Sequence, residues 1–358
     1  MKSSVQSPAH RWMRVSVSPA CLLLLFCLPA LLRAQTSSSE SPVPILTGDA
    51  GYFTNVQGGK VDLAPVISPV LLLPLGERSL IEARGDFEGD FERKNGNGPF
   101  GGQIQKELDY LQVDYIANPY VTITAGRFLT PFGIYNERLY PVWIRSLQEE
   151  PLIFPIGTGS SNGGMLRGGF PLNAKVNLNY AAYFSALSTV NAVDSDRTAG
   201  GRVGLFLPGP RIEAGTSWQR SLEGTHWNAF GFHFAWQPTL PLNVRSEYAR
   251  SHAGSGYWIE AAYRLSQAHF WQRAMRRTEV VGRAQQFFAG AYQYQAGGYA
   301  LPYENTSEDD FGLNYFLRDG LKATASYGRQ FNPDGNFNLW TIGIAYRFVV
   351  PLGRVGQP

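Results

Sequence analysis

The sequence predicts an all-β fold, a transmembrane antiparallel β-barrel of about 16 strands with short periplasmic turns and longer extracellular loops. Apolar and polar residues alternate with period two along many segments, the apolar positions are rich in aromatic residues, and tight turns alternate with longer connections. The chain has 358 residues, of which 44% are hydrophobic, 13% aromatic and 16% charged. This composition fits a folded protein and argues against a disordered one.

The first 34 residues have the organisation of a secretory signal peptide. Lys2, Arg11 and Arg14 precede an apolar run of 12 residues at 21–32, and Ala34 is a small residue suited to cleavage. The alternative is a membrane anchor. A helix of that length is too short to cross roughly 30 Å of hydrocarbon, so we expect residues 1–34 to be removed on export.

Removal of this segment would change the chemistry of the chain. Cys21 and Cys27 both lie within it, so the mature chain would have no disulfide, thiol nucleophile or cysteine-ligated metal. Four of the 31 basic residues would also be lost, leaving 27 against 28 acidic residues and a formal charge of −1. The sequence therefore indicates no nucleic-acid partner.

Residues 35–60 are rich in Ser, Pro and Gly, and we expect a flexible leader there with one short strand near 51–57. Alternation is clear from residue 79 to 348, over about 14 strands, and 61–73 with a leader strand brings the number to about 16. The last strand shows the pattern well, with Trp340, Ile342, Ile344 and Tyr346 on one face and Thr341, Gly343, Ala345 and Arg347 on the other. The expected barrel is 61–348, followed by a tail at 349–358.

A soluble all-β sandwich or jelly roll is the alternative, because its strands also alternate. The aromatic residues on the apolar faces favour a membrane, where they form girdles at the interfaces. Hydrocarbon offers no hydrogen-bond partner to a strand edge, so such a sheet must close on itself. With about 16 strands, side chains cannot fill the interior and an aqueous channel remains.

The sequence contains no catalytic set that we can recognise and indicates no metal or cofactor. His226, His233, His252 and His269 are scattered, without the spacing of a metal site. The Gly-rich stretch 157–164 lacks the Lys and Ser/Thr of a phosphate loop and reads as a flexible loop end. A barrel enzyme with a few polar residues at the rim remains an alternative.

The longest connection, 131–163, carries opposite charges among aromatic residues. Such a loop can fold into the lumen and narrow it, and its charges would then sort solutes by size and charge. The candidates for this constriction are Glu137, Arg138, Arg145, Glu149 and Glu150. The alternative is a surface loop whose charges are solvated.

Three segments resemble the phosphate-selective porin family. They are Gly-Arg-Phe-Leu-Thr-Pro-Phe-Gly at 126–133, Phe-Gly-Leu-Asn-Tyr-Phe at 311–316 and Leu-Lys-Ala-Thr-Ala-Ser-Tyr at 321–327, followed by a final strand that runs from Trp to Phe. The resemblance implies a 16-stranded homotrimeric channel for small anions such as phosphate, with basic residues lining the lumen.

The alternation also selects inward-facing charged residues. These lumen-lining candidates are Glu82, Arg84, Asp86, Glu88, Asp114, Arg202, Glu213, Arg245, Glu247, Glu260, Arg264, Glu279, Arg283, Arg318 and Lys322. Acidic and basic members are nearly balanced, which weakens the case for phosphate. The single basic cluster, Arg273, Arg276, Arg277 and Arg283, is equally consistent with a patch on the turn side.

The sequence therefore predicts an outer-membrane porin, a channel for the passive diffusion of small hydrophilic solutes or ions. Its expected partners are the lipid bilayer of the outer membrane, these solutes and two further copies of the chain. The alternative is a barrel enzyme, or a structural or adhesive barrel without a conducting pore.

Overall fold

The computed structural model describes residues 43–93, 98–190, 193–224, 226–290, 295–296, 299–318 and 320–353. The predicted signal peptide at 1–34 and residues 354–358 of the predicted tail lie outside this range.

Sixteen antiparallel strands close into one barrel. They are β1 (Ile45–Gln57), β2 (Lys60–Leu75), β3 (Ser79–Arg93), β4 (Phe100–Asn118), β5 (Val121–Leu129), β6 (Ser160–Asn173), β7 (Val176–Ala186), β8 (Thr198–Leu207), β9 (Ile212–Ser221), β10 (Asn228–Thr239), β11 (Leu242–Arg250), β12 (Gly254–Arg264), β13 (Thr278–Ala289), β16 (Thr306–Arg318), β17 (Leu321–Asn332) and β18 (Gly335–Pro351). Two short strands, β14 (Gln295–Ala296) and β15 (Tyr299–Ala300), form a separate hairpin. The predicted fold class is confirmed.

The barrel begins earlier than the sequence suggested. β1 occupies half of the segment expected to be a flexible leader, and it pairs with β2 on one side and with β18 on the other. The expected start at residue 61 and end at 348 are therefore wrong, because 45–57 and 349–351 are also barrel strand. These residues complete the closure that removes the last two sheet edges.

Connections of different length separate the two ends of the barrel. One end, which we call the turn end, has the connections 76–78, 119–120, 174–175, 208–211, 240–241, 265–277 and 319–320. The opposite, loop end includes 130–159, 187–197 and 290–305. The predicted alternation of short turns and long loops is therefore present in part. At the turn end, 265–277 is long and contains the short helix α1 (Gln272–Met275), and at the loop end 58–59, 251–253 and 333–334 are short.

The outer face of the wall is apolar and exposed. On β10, Phe230, Phe232, Phe234 and Trp236 leave between 37% and 56% of their surface open. A row of aromatic side chains with nothing packed over it matches the hydrocarbon of a bilayer. Among the described residues, no helix is both long and apolar enough to cross a membrane.

Candidate functional site: the lumen and the loop that crosses it

The connection between β5 and β6 lies inside the barrel. Its ends meet at a neck, where the Thr130 N–H donates to the Gly159 carbonyl over 2.9 Å. The loop is 130–159 rather than 131–163, because 160–163 are the first residues of β6. The sequence reading of a Gly-rich loop end was wrong there. Gly163 lies so close to the Phe184 carbonyl of β7 that a Cβ would overlap it, so glycine permits strand pairing at this point.

The first arm of the loop docks on β8, β9 and β11. Glu247 is buried and accepts hydrogen bonds from the N–H groups of Ile134 and Tyr135 at 3.2 and 3.4 Å. Ser217 accepts from the Gly133 N–H at 3.0 Å, and Arg202 donates to the Gly133 carbonyl at 2.8 Å. Gly133 has a φ of 62°, and a Cβ there would overlap the Glu247 carboxylate. The contact therefore needs glycine both for its backbone conformation and for space.

The middle of the loop reaches the far wall. The Lys322 ammonium of β17 donates to the carbonyls of Arg145, Trp143 and Val142 at 2.6, 3.1 and 3.4 Å. Asp49 of β1 accepts from the Trp143 N–H at 3.3 Å. A loop in a lumen has backbone groups that no strand partner satisfies, and charged wall side chains take that role here.

The returning arm runs along β16, β13 and β12. Asn314 donates to the Ser146 carbonyl, and Arg283 donates to the Glu149 carbonyl, both at 2.8 Å. The Leu152 N–H donates to Gln285 at 2.8 Å. The loop is thus anchored on nearly every side of the wall, and its backbone crosses the lumen.

Apolar packing fixes both arms of the loop. Apolar side chains of the loop form one buried cluster with Trp258, Phe287 and small residues on the side of β10–β12. The loop members are Phe132, Ile134, Tyr135, Leu139, Tyr140, Ile153, Phe154 and Ile156. Leu147 packs separately against Ala262 and Val281. This part of the interior is filled.

Four ion pairs of the described residues involve the predicted constriction residues. Glu137 pairs with Arg202 at 2.6 Å and with Arg167 at 3.7 Å, and Arg138 pairs with Glu213 at 2.7 Å, so Glu137 and Arg138 both connect the loop to the wall. Arg145 pairs with Glu150 at 2.9 Å within the loop.

Burial and hydrogen bonding shift the pKa values of loop residues. Burial raises the pKa of Glu150, an effect that the nearby Arg145 opposes. The hydrogen bond with Glu213 raises the pKa of Arg138. The Arg138 charge is therefore retained at every accessible pH, whereas Glu150 takes up a proton more readily than an ordinary glutamate.

Among the cavities that border the loop, two polar ones are relevant to a solute path. One has a volume of about 460 Å³, and its lining includes Glu82, Tyr110, Gln112, Glu137, Arg138, Arg167 and Arg202. The other has a volume of about 220 Å³, and its lining includes Asn55, Asp62, Asp86, Glu88, Asp90, Glu107 and Tyr140. Both adjoin the wall near β3 and β4, which is the side that the apolar cluster leaves open.

Most of the predicted lumen residues share the inner face. Glu82, Arg84, Asp86 and Glu88 alternate on β3, and Asp114 lies on the same face of β4. Arg245 faces Glu260 at 3.8 Å, Arg264 faces Glu279 at 3.9 Å, and Arg283 pairs with Asp310 at 3.0 Å.

The remaining basic candidates lie at the turn end. Arg318 is exposed at the end of β16, after an irregularity in the strand register. It does not lie with the other predicted lumen residues on the inner face. Arg273, Arg276 and Arg277 lie in or beside α1, so the basic cluster divides between the turn end and the inner wall, where Arg283 is found.

Several residues on the inner face were not predicted from the sequence. Asp109 is buried and lies 2.8 Å from Arg84, although strict alternation along β4 would point it outward with Leu111. The register of β3 and β4 shifts at this point, and a bulge reverses the direction of side chains. Asp49 was missed because β1 was expected to be leader. Asp310 and Glu308 alternate with Phe311 and were detectable in principle.

Comparison with known proteins identifies the fold but no family. No protein-family description and no curated protein matches the chain. Among solved structures, an anion-selective porin from Comamonas acidovorans has a TM-score of 0.53 at 12% identity, covering 86% of this chain and 99% of its own. OprB of Pseudomonas putida at high pH has a TM-score of 0.59 at 10% identity and coverage of 86% and 94%. Salmonella typhi OmpF, in complex with daunomycin, has a TM-score of 0.55 at 11% identity. The match covers 85% of this chain and 97% of the OmpF chain.

At these identities the likeness concerns the fold. The chain has the fold of outer-membrane β-barrels. Its closed sheet and apolar exterior are suited to a lipid bilayer, and its location is the outer membrane.

Proposed function

We propose that the protein is a porin that lets small hydrophilic solutes diffuse passively across the outer membrane. The observation that carries this proposal is the pair of polar cavities on the side of the lumen that the apolar cluster leaves free. Loop 130–159 serves as the constriction, because its charged side chains Glu137 and Arg138 line the larger cavity. The porin names of similar structures support the proposal.

Single-channel recording in a planar bilayer tests the proposal. We expect stepwise currents from the purified protein, and a protein that inserts without conducting would contradict the porin function and favour a structural or adhesive barrel. Because Thr130 and Gly159 are adjacent, 131–158 can be replaced by a short Gly-Ser linker without displacing β5 or β6. This variant should conduct more than the native chain, and an unchanged conductance would contradict the constriction role.

Liposome swelling with sugars of increasing size gives a second measurement. The native protein should exclude sugars that the loop-replaced variant admits. If the replacement does not fold, the size limit of the native protein still tests the channel, since a non-conducting barrel admits no sugar.

The resemblance to phosphate-selective porins also suggests small anions as solutes and a homotrimer as the assembly. Arginines do line the larger cavity, but Arg138 and Arg202 each pair with a carboxylate there. Sedimentation in density-matched detergent measures the mass of the assembly, and a monomer mass would contradict the trimer.

A further inference from the structure

The inner face of β3 carries a row of carboxylates. Glu82, Asp86, Glu88 and Asp90 occupy alternate positions, and Arg84 is the one basic residue between them. Alternate residues of a strand lie about 7 Å apart on the same face. The row therefore runs from near the turn end towards the loop end along the open side of the lumen.

Acidic side chains of the adjacent strands extend this row sideways. Asp62 of β2 and Glu107 of β4 line the same cavity as Asp86, Glu88 and Asp90, and no Lys or Arg is among the described residues that line it. Asp62 and Asp86 accept hydrogen bonds there from the neutral side chains of Asn55 and Ser68. Neutral donors of this kind leave the charge of a carboxylate in place.

Three basic side chains of the inner wall have a different role, whereas Arg138, Arg167 and Arg202 line the larger cavity. Arg84 pairs with Asp109 at 2.8 Å, Arg283 pairs with Asp310 at 3.0 Å, and Lys322 is held by three loop carbonyls. Each of these basic groups is almost fully buried. Carboxylates or loop carbonyls next to these basic groups therefore offset their charges. In contrast, Asp62, Glu88 and Asp90 take part in none of the salt bridges of the described residues.

This segregation of charge sets the potential in the smaller cavity, which is the acidic part of the open path. Fixed charges of one sign in a narrow cleft with low-dielectric walls concentrate ions of the opposite sign and exclude those of the same sign. The screening length is about 10 Å at 0.1 M salt, which exceeds the spacing of the row, so the fields of neighbouring carboxylates overlap.

We infer that the channel prefers cations over anions, and that Asp86, Glu88 and Asp90 on β3 determine this preference. The inference rests on the proposed channel function and names its preferred ions. It differs from the anion preference that the family resemblance implies.

The reversal potential across a KCl gradient measures this preference. We expect the native channel to pass K⁺ more readily than Cl⁻. The triple variant Asp86→Asn, Glu88→Gln, Asp90→Asn removes three charges without changing size, and we expect the K⁺/Cl⁻ permeability ratio to fall by about fivefold or more at low salt. Raising the salt concentration should reduce the preference of the native channel as well.

Asp309→Asn is the matched control. Asp309 is an exposed carboxylate on the outer face of β16, one residue from the inner Asp310, and its loss should leave the ratio unchanged. If the triple variant does not fold, Glu88→Gln alone should still lower the ratio.

The outcomes separate the two proposals. A native protein that does not conduct contradicts the porin function. A native channel that conducts but prefers Cl⁻ contradicts cation preference and leaves the porin function intact. A K⁺ preference that the triple variant and Glu88→Gln both retain contradicts the role of the β3 row.

Discussion

At the scale of single residues, a buried lysine fastens the loop to the far wall. Lys322 is 1% exposed, and its ammonium donates to three loop carbonyls. Lys322→Met keeps the length of the side chain but leaves these carbonyls without a donor, at a cost of about 1–3 kcal/mol. We expect faster amide hydrogen exchange across 142–149 and noisier single-channel currents.

The control for this variant is Lys106→Met. Lys106 is exposed on the outer face of β4, where it pairs in register with Phe87, and its replacement should change neither measurement. Unchanged exchange in Lys322→Met would show that the apolar packing of the loop is sufficient to hold it.

A second residue, Glu150, gives the loop a dependence on pH. Burial raises the pKa of Glu150 in the folded protein above its unfolded value of roughly 4.3. A raised carboxyl pKa contributes stability that is complete below the unfolded pKa and is lost as the pH rises through the folded pKa. Since Glu150→Gln cannot titrate, the unfolding free energy of the native protein minus that of Glu150→Gln should decrease between pH 5 and pH 8.

Denaturant unfolding in detergent micelles at several pH values measures this difference. Its change should not exceed about 1.4 kcal/mol per unit of pKa shift. Glu77→Gln, in the exposed connection between β2 and β3, is the control and should show no such trend. An increase with pH would mean that the Arg145–Glu150 ion pair outweighs burial.

At the scale of elements, local patterning predicted the strands, and deviations from regular pairing caused the errors. Period two placed Glu82, Arg84 and Lys322 on the inner face, because alternation depends only on neighbours in the chain. The bulge that turns Asp109 inward depends on how β3 and β4 pair, which a single strand does not encode. The first half of β1 was missed because its Gly and Thr residues resemble a linker and because the stability of β1 comes partly from the distant strand β18.

The loop shows the same division. Its charged residues were identified from the sequence, and Glu137, Arg138 and Arg145 do form ion pairs with the wall or within the loop. Of the wall residues that bind its backbone, Arg202, Glu247, Arg283 and Lys322 were proposed only as lumen charges, and the others were not proposed. Those others are Asp49, Ser217, Gln285 and Asn314. A contact such as that of Glu247 with the Ile134 N–H joins residues 113 positions apart, and no local pattern reports a contact of that range.

At the scale of the whole molecule, the closed sheet and the enclosed lumen depend on the pairing of β1 with β18. This pairing joins the two ends of the described chain in a register that includes Thr54 opposite Ile342. Both side chains face outward, and Cα atoms of directly opposed residues lie about 4.5–5.5 Å apart, a separation that a disulfide can bridge.

We therefore expect Thr54→Cys with Ile342→Cys to form an intramolecular disulfide on oxidation. Cys21 and Cys27 are the only native cysteines, and replacing both by Ser leaves the engineered pair as the only thiols. Faster migration in denaturing electrophoresis without reductant detects the bond. Thr54→Cys with Phe232→Cys is the control, because β10 lies far from β1 around the barrel and no bond should form. If the Thr54 and Ile342 pair stays reduced under strong oxidation, β1 does not close the barrel. The sheet would then have two free edges, which hydrocarbon cannot satisfy.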